Sequence, residues 1–192
     1  MIAYLSFLWN SKNEHRIHSP FVYNLQMNVF KDGMYYYAFD YLASFLDSQN
    51  TSKKQRKNLR QLFRLVNYLK PTNSIEISDD ISMSSLTLAL PSKKNLIHIF
   101  TEKSNKQLTL PDNISLNHSS QLINSLPSIQ SIDFILIHSS VLSLSHIDQI
   151  IPFCHDEACF VIQAPHKNLN VWNKIKQSSN FHIVIDLSLI HI

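Results

Sequence analysis

The sequence predicts an α/β fold: a mostly parallel sheet covered by helices on both faces, preceded by an N-terminal helical segment. Three observations carry this. The first 70 residues place apolar residues at helical spacing. After Pro71 the rhythm changes to short β-rich runs separated by segments that can be helical, the pattern of a parallel sheet. Within those runs, residues 134–137 read FILI, apolar at consecutive positions as a central strand buried on both faces should be. The division is therefore 1–70, helical segment, and 71–192, sheet domain.

The helical segment holds three periodic stretches. In HRIHSPFVYNLQMNVF, Ser19 is a good N-cap and Pro20 a good first helical residue, after which Phe21, Leu25 and Val29 recur at helical spacing. YYYAFDYLASFL offers a second helix, with Tyr37, Tyr41, Phe45 and Leu46 on one side. The tyrosine run Tyr35–Tyr37 is expected to pack between helix and sheet. KKQRKNLRQLFRLVNYLK offers a third helix, with Leu59, Leu62, Phe63, Val66 and Leu69 as its apolar stripe and Pro71 ending it. Lys53, Lys54, Arg56, Lys57, Arg60 and Arg64 load its other side with no acid nearby in sequence. A solvated face is the simplest account; RNA, a membrane surface or an acidic partner are the others.

The strands follow as SIEIS (74–78), NLIHIF (95–100), ISLNH (114–118), IDFILIH (132–138) and ACFVIQA (158–164). Between them, Met83 to Leu90, Ser119 to Leu126, Leu144 to Ile151 and Leu169 to Lys176 are the helical candidates. FHIVIDLSLIHI closes the chain as a long strand or tight hairpin.

Composition sets the bounds. An apolar content of 44% in 192 residues suits a globular core. The formal charge is 17 − 14 = +3, too small to imply nucleic acid by itself. No apolar run approaches the roughly 18 residues that span a membrane, and MIAYLSFLWNSKNEHR lacks a basic n-region and a cleavage site, so it reads as the start of a helix. Cys154 and Cys159 make no disulfide framework, which points to a reducing, cytoplasmic setting. Gly33 is the single glycine, where average usage predicts about 13. Serine and asparagine must fill the turns, and no glycine-built phosphate loop can exist.

SIEISDDISMSSLTLAL, residues 74–90, reads as strand, tight loop and helix, the layout of a nucleotide-cofactor cradle. Together with HSPFVY and LFRLVNYLKP, it resembles a group of small bacterial class I S-adenosylmethionine-dependent methyltransferases. In that group the loop reads approximately E-L-G-T-S-x-G-I-S-T-L-x-L-A. Here the same register runs from Glu76 to Ala89. The acid, the serine pair and the apolar positions match, and both glycines are serine, at Ser78 and Ser82. DFILIHSS resembles the family's D-F-V-F-I-D-G-N strand, with His138 at the terminal Asp and Ser139 at the Gly. CFVIQAPH resembles F-I-F-D-D-I-H, with Gln163 and Ala164 replacing the acidic pair and His166 kept. VWNKIK and IDL match too, so the likeness spans nearly the whole chain.

The resemblance implies a Rossmann-like sheet of seven strands or slightly fewer, in the order 3-2-1-4-5-7-6. It implies S-adenosylmethionine as the cofactor, held around Glu76, Ser78, Asp79, Asp80, Ser82 and Ser84. Glu102 would stand in for the acid that bonds the ribose hydroxyls; strict register places Phe100 there. A serine at a positive-φ glycine position costs about 1–2 kcal/mol, and two such changes weaken binding by roughly tens- to hundreds-fold. His138, Gln163 and Ala164 stand where many relatives carry metal-holding acids, which makes a poor site for a hard cation; no metal is expected. His138 and His166, at the ends of the fourth and fifth strands, are the candidate general bases. CHDEAC lacks the second ligand pair of a zinc ribbon, and no G-x-S-x-G elbow supports a serine nucleophile.

Two functions remain in view. One is a degenerate, weakly active or non-catalytic methyltransferase-like scaffold acting through a protein partner. The other is an active class I methyltransferase with a serine-based cofactor loop. The short span from Lys103 to Asp112 and the abrupt end at Ile192 also fit a decaying reading frame.

Overall fold

The protein is seen in a computed structural model that describes residues 19–48, 51–103, 110–129, 131–138, 140–141 and 143–181. Helix α1 (Pro20–Leu25) runs on into a π-helical turn (Gln26–Phe30) and is followed by α2 (Ala38–Ser48) and α3 (Lys53–Leu69). Then come β1 (Asn73–Asp80), α4 (Met83–Ala89), β2 (Leu96–Lys103) and β3 (Ile114–His118). The rest is α5 (Leu122–Ser125) between two 3-10 turns, β4 (Ile132–His138), α6 (Leu144–Ile150), β5 (Cys154–Gln163) and α7 (Leu169–Gln177). The five strands form one parallel sheet in the order β3-β2-β1-β4-β5. The predicted α/β class and the first five places of the strand order hold. The closing FHIVIDLSLIHI lies outside the described residues apart from Phe181.

Local chemistry sets the helix ends. Ser19 caps α1, its hydroxyl accepting from Val22 N–H at 3.4 Å, with Pro20 in the first turn. Ser52 caps α3 with a reciprocal box: its Oγ accepts from Gln55 N–H at 3.3 Å, and Gln55 Oε1 accepts from Ser52 N–H at 3.1 Å. At the other end Lys70 adopts φ 51°, ψ 52° and donates its N–H to Val66 O at 2.9 Å. A glycine normally takes this left-handed position, and a chain with one glycine uses lysine, at a cost of about 1–2 kcal/mol.

Each sheet face carries its own core. Ile75, Ile77, Phe100, Ile135 and Ile137 pack against Leu122, Ile147, Ile150, Trp172 and Ile175 of α5, α6 and α7. On the opposite face Ile97, Ile99, Phe134 and Leu136 pack against Leu25, Val29, Leu62, Val66 and Leu88 of α1, α3 and α4. The N-terminal helices thus share a core with the sheet. A third cluster joins Phe39, Leu42 and Leu46 of α2 to Phe63 of α3 and to Met83 and Leu86 of α4.

Three side-chain expectations need correcting. The buried stripe of α2 is Phe39, Leu42 and Leu46; Tyr37 is 94% exposed and Tyr41 44% exposed. Phe21 is also exposed, while Leu25 and Val29 are buried. Of the tyrosine run Tyr36 packs inward, 5.4 Å from Phe39 and 5.2 Å from Phe63 between ring centroids, with its hydroxyl donating to Asp32 at 2.9 Å, while Tyr35 meets Phe39 at 5.8 Å and stays largely exposed. One face of α2 is fixed by its contacts with α3, and Tyr37 precedes the helix.

The start of the sheet is tied by Asp133. Its Oδ2 accepts from Thr72 N–H at 2.8 Å, Thr72 Oγ1–H at 2.6 Å and Asn73 N–H at 3.1 Å. Burial pushes this carboxyl up, but the three donors and the nearby His155 outweigh it and hold the carboxyl below its usual range. The acid of the DF pair thus has a structural duty at the amino end of β4, far along the strand from the site below.

Candidate functional site

In open α/β sheets, ligands bind beyond the carboxyl ends of the strands where the strand order reverses. That point here lies between β1 and β4. The two strands pair from Ser74↔Phe134 to Ile77↔Ile137 and no further. Beyond Ile77, β1 continues beside β2 alone, through Ser78↔Thr101 and Asp80↔Lys103. The first strand is therefore longer than its SIEIS core, and only Ile81 and Ser82 separate it from α4. What reads as a loop in sequence is mostly strand, because β2 also runs on to Lys103 and offers it a partner.

Alternation along β1 turns Ser74, Glu76 and Ser78 toward the layer of α1, α3 and α4. All three are buried, with Glu76 at 0% exposure. Ser74 Oγ donates to Asn95 Oδ1 at 2.7 Å, and Asn95 Nδ2 donates to Leu88 O at 3.2 Å, which pins the end of α4. Glu76 is met by two other elements. Ser84, in the first turn of α4, donates its hydroxyl to Glu76 Oε1 at 2.7 Å. His138, the last residue of β4, brings Nε2 to 3.0 Å from the same oxygen and to 3.2 Å from Ser84 Oγ.

Donor counting fixes the roles. A carboxylate only accepts, and Ser84 has spent its single hydrogen on Glu76. Nε2 of His138 therefore carries a proton and donates toward Glu76 Oε1 and Ser84 Oγ. The Ser82 hydroxyl, 2.6 Å from Ser84 Oγ, donates to it in turn. Ser82 also accepts from Ser84 N–H at 3.3 Å, and Ser85 Oγ accepts from Ser82 N–H at 3.3 Å, so Ser82 is the N-cap of α4. A serine–histidine–carboxylate set invites comparison with a hydrolytic triad. The geometry excludes that relay, because His138 uses one nitrogen for both partners, whereas a triad histidine links its base and its orienting acid through different nitrogens.

Two buried atoms in this cluster have no partner among the described residues: Glu76 Oε2 and Ser78 Oγ. Neither serine strains the backbone. Among the described residues, the non-glycine positions with positive φ are Lys70 and Ala164. Ser82 sits at φ −133°, ψ 177°, which any residue adopts. The expected cost of two serines in left-handed positions is therefore absent, because Ser78 lies in β1 and Ser82 is extended.

The other sequence candidates are more scattered. Asp79 is exposed, and Asp80 is half-buried with Oδ1 accepting from Ile81 N–H at 2.8 Å. Glu102 is exposed and lies inside β2, while Phe100 is fully buried. His138 stands beside Gln163 across the β4–β5 register. Ala164 ends that strand at φ 51°, and His166 falls in the 3-10 turn Pro165–Asn168 that follows. Among the described residues, no group of three or more His, Cys, Asp or Glu side chains could hold a metal. The structure thus brings Glu76, Ser82, Ser84 and His138 into one hydrogen-bonded group. The Glu76–His138 contact spans 62 residues of sequence, and no local signal could have announced it.

S-adenosylmethionine can be tested against this geometry. Both oxygens of the acid that should face the cofactor are closed off: Oε1 by Ser84 and His138, Oε2 by burial. A ligand reaches Glu76 Oε1 only in competition with Ser84 and His138. The residues as arranged do not fit the group.

No protein-family model and no curated protein matches the chain. Solved structures do. A Geobacter sulfurreducens methyltransferase superposes with a TM-score of 0.54 at 12% identity, covering 84% of this chain and 91% of that one. A Staphylococcus aureus protein assigned as a caffeoyl-CoA O-methyltransferase gives 0.52 at 13% identity, covering 83% and 79%. An SAH-bound methyltransferase of Podospora anserina gives 0.51 at 11% identity, covering 77% and 70%. The chain has the Rossmann-like fold of class I S-adenosylmethionine-dependent methyltransferases.

Proposed function

We propose that this chain is a methyltransferase-like scaffold whose cofactor position is closed, so that it is weakly active or non-catalytic and works through a partner. The observation that carries this reading is the capture of Glu76 Oε1 by Ser84 and His138. In the family pattern the position of His138 is an aspartate. A second carboxylate there would repel Glu76; the imidazole instead donates to it and ties β4 to β1. The exposed or half-buried positions of Asp79, Asp80 and Glu102 support the same reading, since nothing gathers them around one ligand. The two thiols are unpaired, which supports a reducing compartment.

The alternative, an active methyltransferase, draws support from the orphaned Glu76 Oε2 and Ser78 Oγ, because buried polar atoms without partners are costly unless a ligand or water meets them. Calorimetric titration with S-adenosylmethionine and S-adenosylhomocysteine separates the two. The closed-site reading expects no saturable heat up to about 1 mM ligand, a binding energy weaker than about −4 kcal/mol. Micromolar binding of either ligand overturns it.

A further inference from the structure

The net charge of +3 hides a local concentration. Six of the chain's 17 lysines and arginines fall between Lys53 and Arg64. Along one side of α3, Lys53, Lys57, Arg60 and Arg64 follow each other at three- or four-residue steps, a row about 16 Å long at 1.5 Å per residue. With Arg56 they line a groove of about 300 Å³ floored by Phe30.

Three acids of the neighbouring segments are each held by a partner. Asp47 accepts from Arg56 Nη1 at 2.6 Å, Asp32 stands 3.6 Å from Arg64 Nε, and Asp40 accepts from Tyr35 Oη. Lys53, Lys57 and Arg60 are exposed and have no carboxylate partner among the described residues. Arg56 and Arg64 are also fixed to backbone, on Thr51 O at 3.2 Å and Met34 O at 3.0 Å.

Aromatic surface adjoins the row. Arg60 and Arg64 each sit 5.3 Å from the centroid of Phe39. Tyr35 meets the edge of that ring at 5.8 Å and is itself 62% exposed.

We propose that this groove binds the sugar–phosphate backbone of a single-stranded nucleic acid, with Tyr35 offering a face to a base. Single strands are held by this combination of a cationic track and exposed aromatic rings. A flat anionic bilayer cannot enter a groove. An acidic peptide could pair with the cations but brings no base to stack on the exposed ring of Tyr35. The surface is built by α3, the π turn after α1 and the connection that carries Tyr35 into α2, and it does not depend on the state of Glu76.

The test is fluorescence anisotropy of the full chain with a labelled oligouridylate of about 12 nucleotides. Three unpaired cations predict a slope of log K against log salt near −2, or about twentyfold weaker binding between about 50 and about 200 mM salt. Lys57→Gln/Arg60→Gln should weaken binding at low salt by at least about tenfold and bring the slope near −0.7. Lys53→Gln/Lys57→Gln, at two exposed positions, serves as a second variant that keeps Arg60 on its ring, with the same expectation. Tyr35→Ala should cost about fivefold or more. Circular dichroism confirms that each variant is folded.

The proposal is overturned by no binding at about 100 μM chain in low salt, an affinity about 100,000-fold below nanomolar complexes. Binding that both double variants leave unchanged also overturns it. So does a polyglutamate peptide, or a vesicle rich in phosphatidylglycerol, that binds the groove as tightly as the oligonucleotide.

Discussion

His138 Nε2 lies 3.0 Å from Glu76 Oε1, across the point where β1 and β4 part. One residue ends a strand and the other is wholly buried on its neighbour. The contact joins the two strands at the point where ligands bind in open α/β sheets. It also explains how a buried carboxylate is tolerated: donors from β4 and α4 converge on one oxygen.

This pairing should show as coupling. His138→Ala should destabilise the chain by about 1–3 kcal/mol, because it leaves a buried carboxylate with one donor fewer. In a double-mutant cycle with Glu76→Gln, urea unfolding should return an interaction energy of about 0.5–3 kcal/mol. A cycle that closes to zero would mean that the two residues do not act on each other.

Ser82 is a helix cap before it is anything else. Ser82→Ala should cost about 1 kcal/mol, and Ser82→Gly only a few tenths. Joined with Ser78→Gly, the glycine version places at both positions the residues of the family pattern that the loop resembles. It should still show no S-adenosylmethionine binding by calorimetry, because Glu76 remains held. Recovered micromolar binding would place the fault in the two serines alone.

Asp133 sets an acid limit on stability. Its carboxyl is held below 3.8 in the folded chain, so its contribution is full above that value and is lost as pH falls through the folded value. Asp133→Asn should lose about 1–3 kcal/mol at neutral pH and flatten the stability profile below pH 3.8. His98 works at higher pH. Burial lowers its pKa from 6.5, so the unfolded chain takes up the proton first and stability falls as pH drops below 6.5. His98→Val should remove that step in urea titrations at stepped pH.

The two cysteines should be inert. Burial pushes both thiols up to about 12, from 9.0, which leaves roughly a thousandfold less thiolate at pH 8. Iodoacetamide labelling, followed by mass, should be far slower in the native chain than in denaturant. Equal rates would show that β5 opens readily.

Much of the fold was legible because its signals are local. Ser19–Pro20 and Ser52 mark helix starts, and ISLNH and IDFILIH begin and end where β3 and β4 do. Consecutive apolar residues at 134–137 mark a central strand, and Phe134 to Ile137 are all fully buried. The frame of Glu76 to Ala89 likewise locates the site, since a strand and a helix joined by a tight connection are written in adjacent residues.

Tertiary structure decided what that site contains. Whether Ser78 stands in a loop or a strand depends on β2 reaching Lys103 beside it. Which side of α2 is buried depends on Phe63 and Leu86, and the acids that hold Arg56 and Arg64 come from outside α3. The meeting of Glu76 with His138 needs two strands to pair in one register and β4 to end where the two part. Sequence by itself determined the elements, because hydrophobic period and capping act over a few residues. Only the packed sheet determined the hydrogen bonds among Glu76, Ser84 and His138, because bonds between distant residues exist once the elements bearing them are aligned.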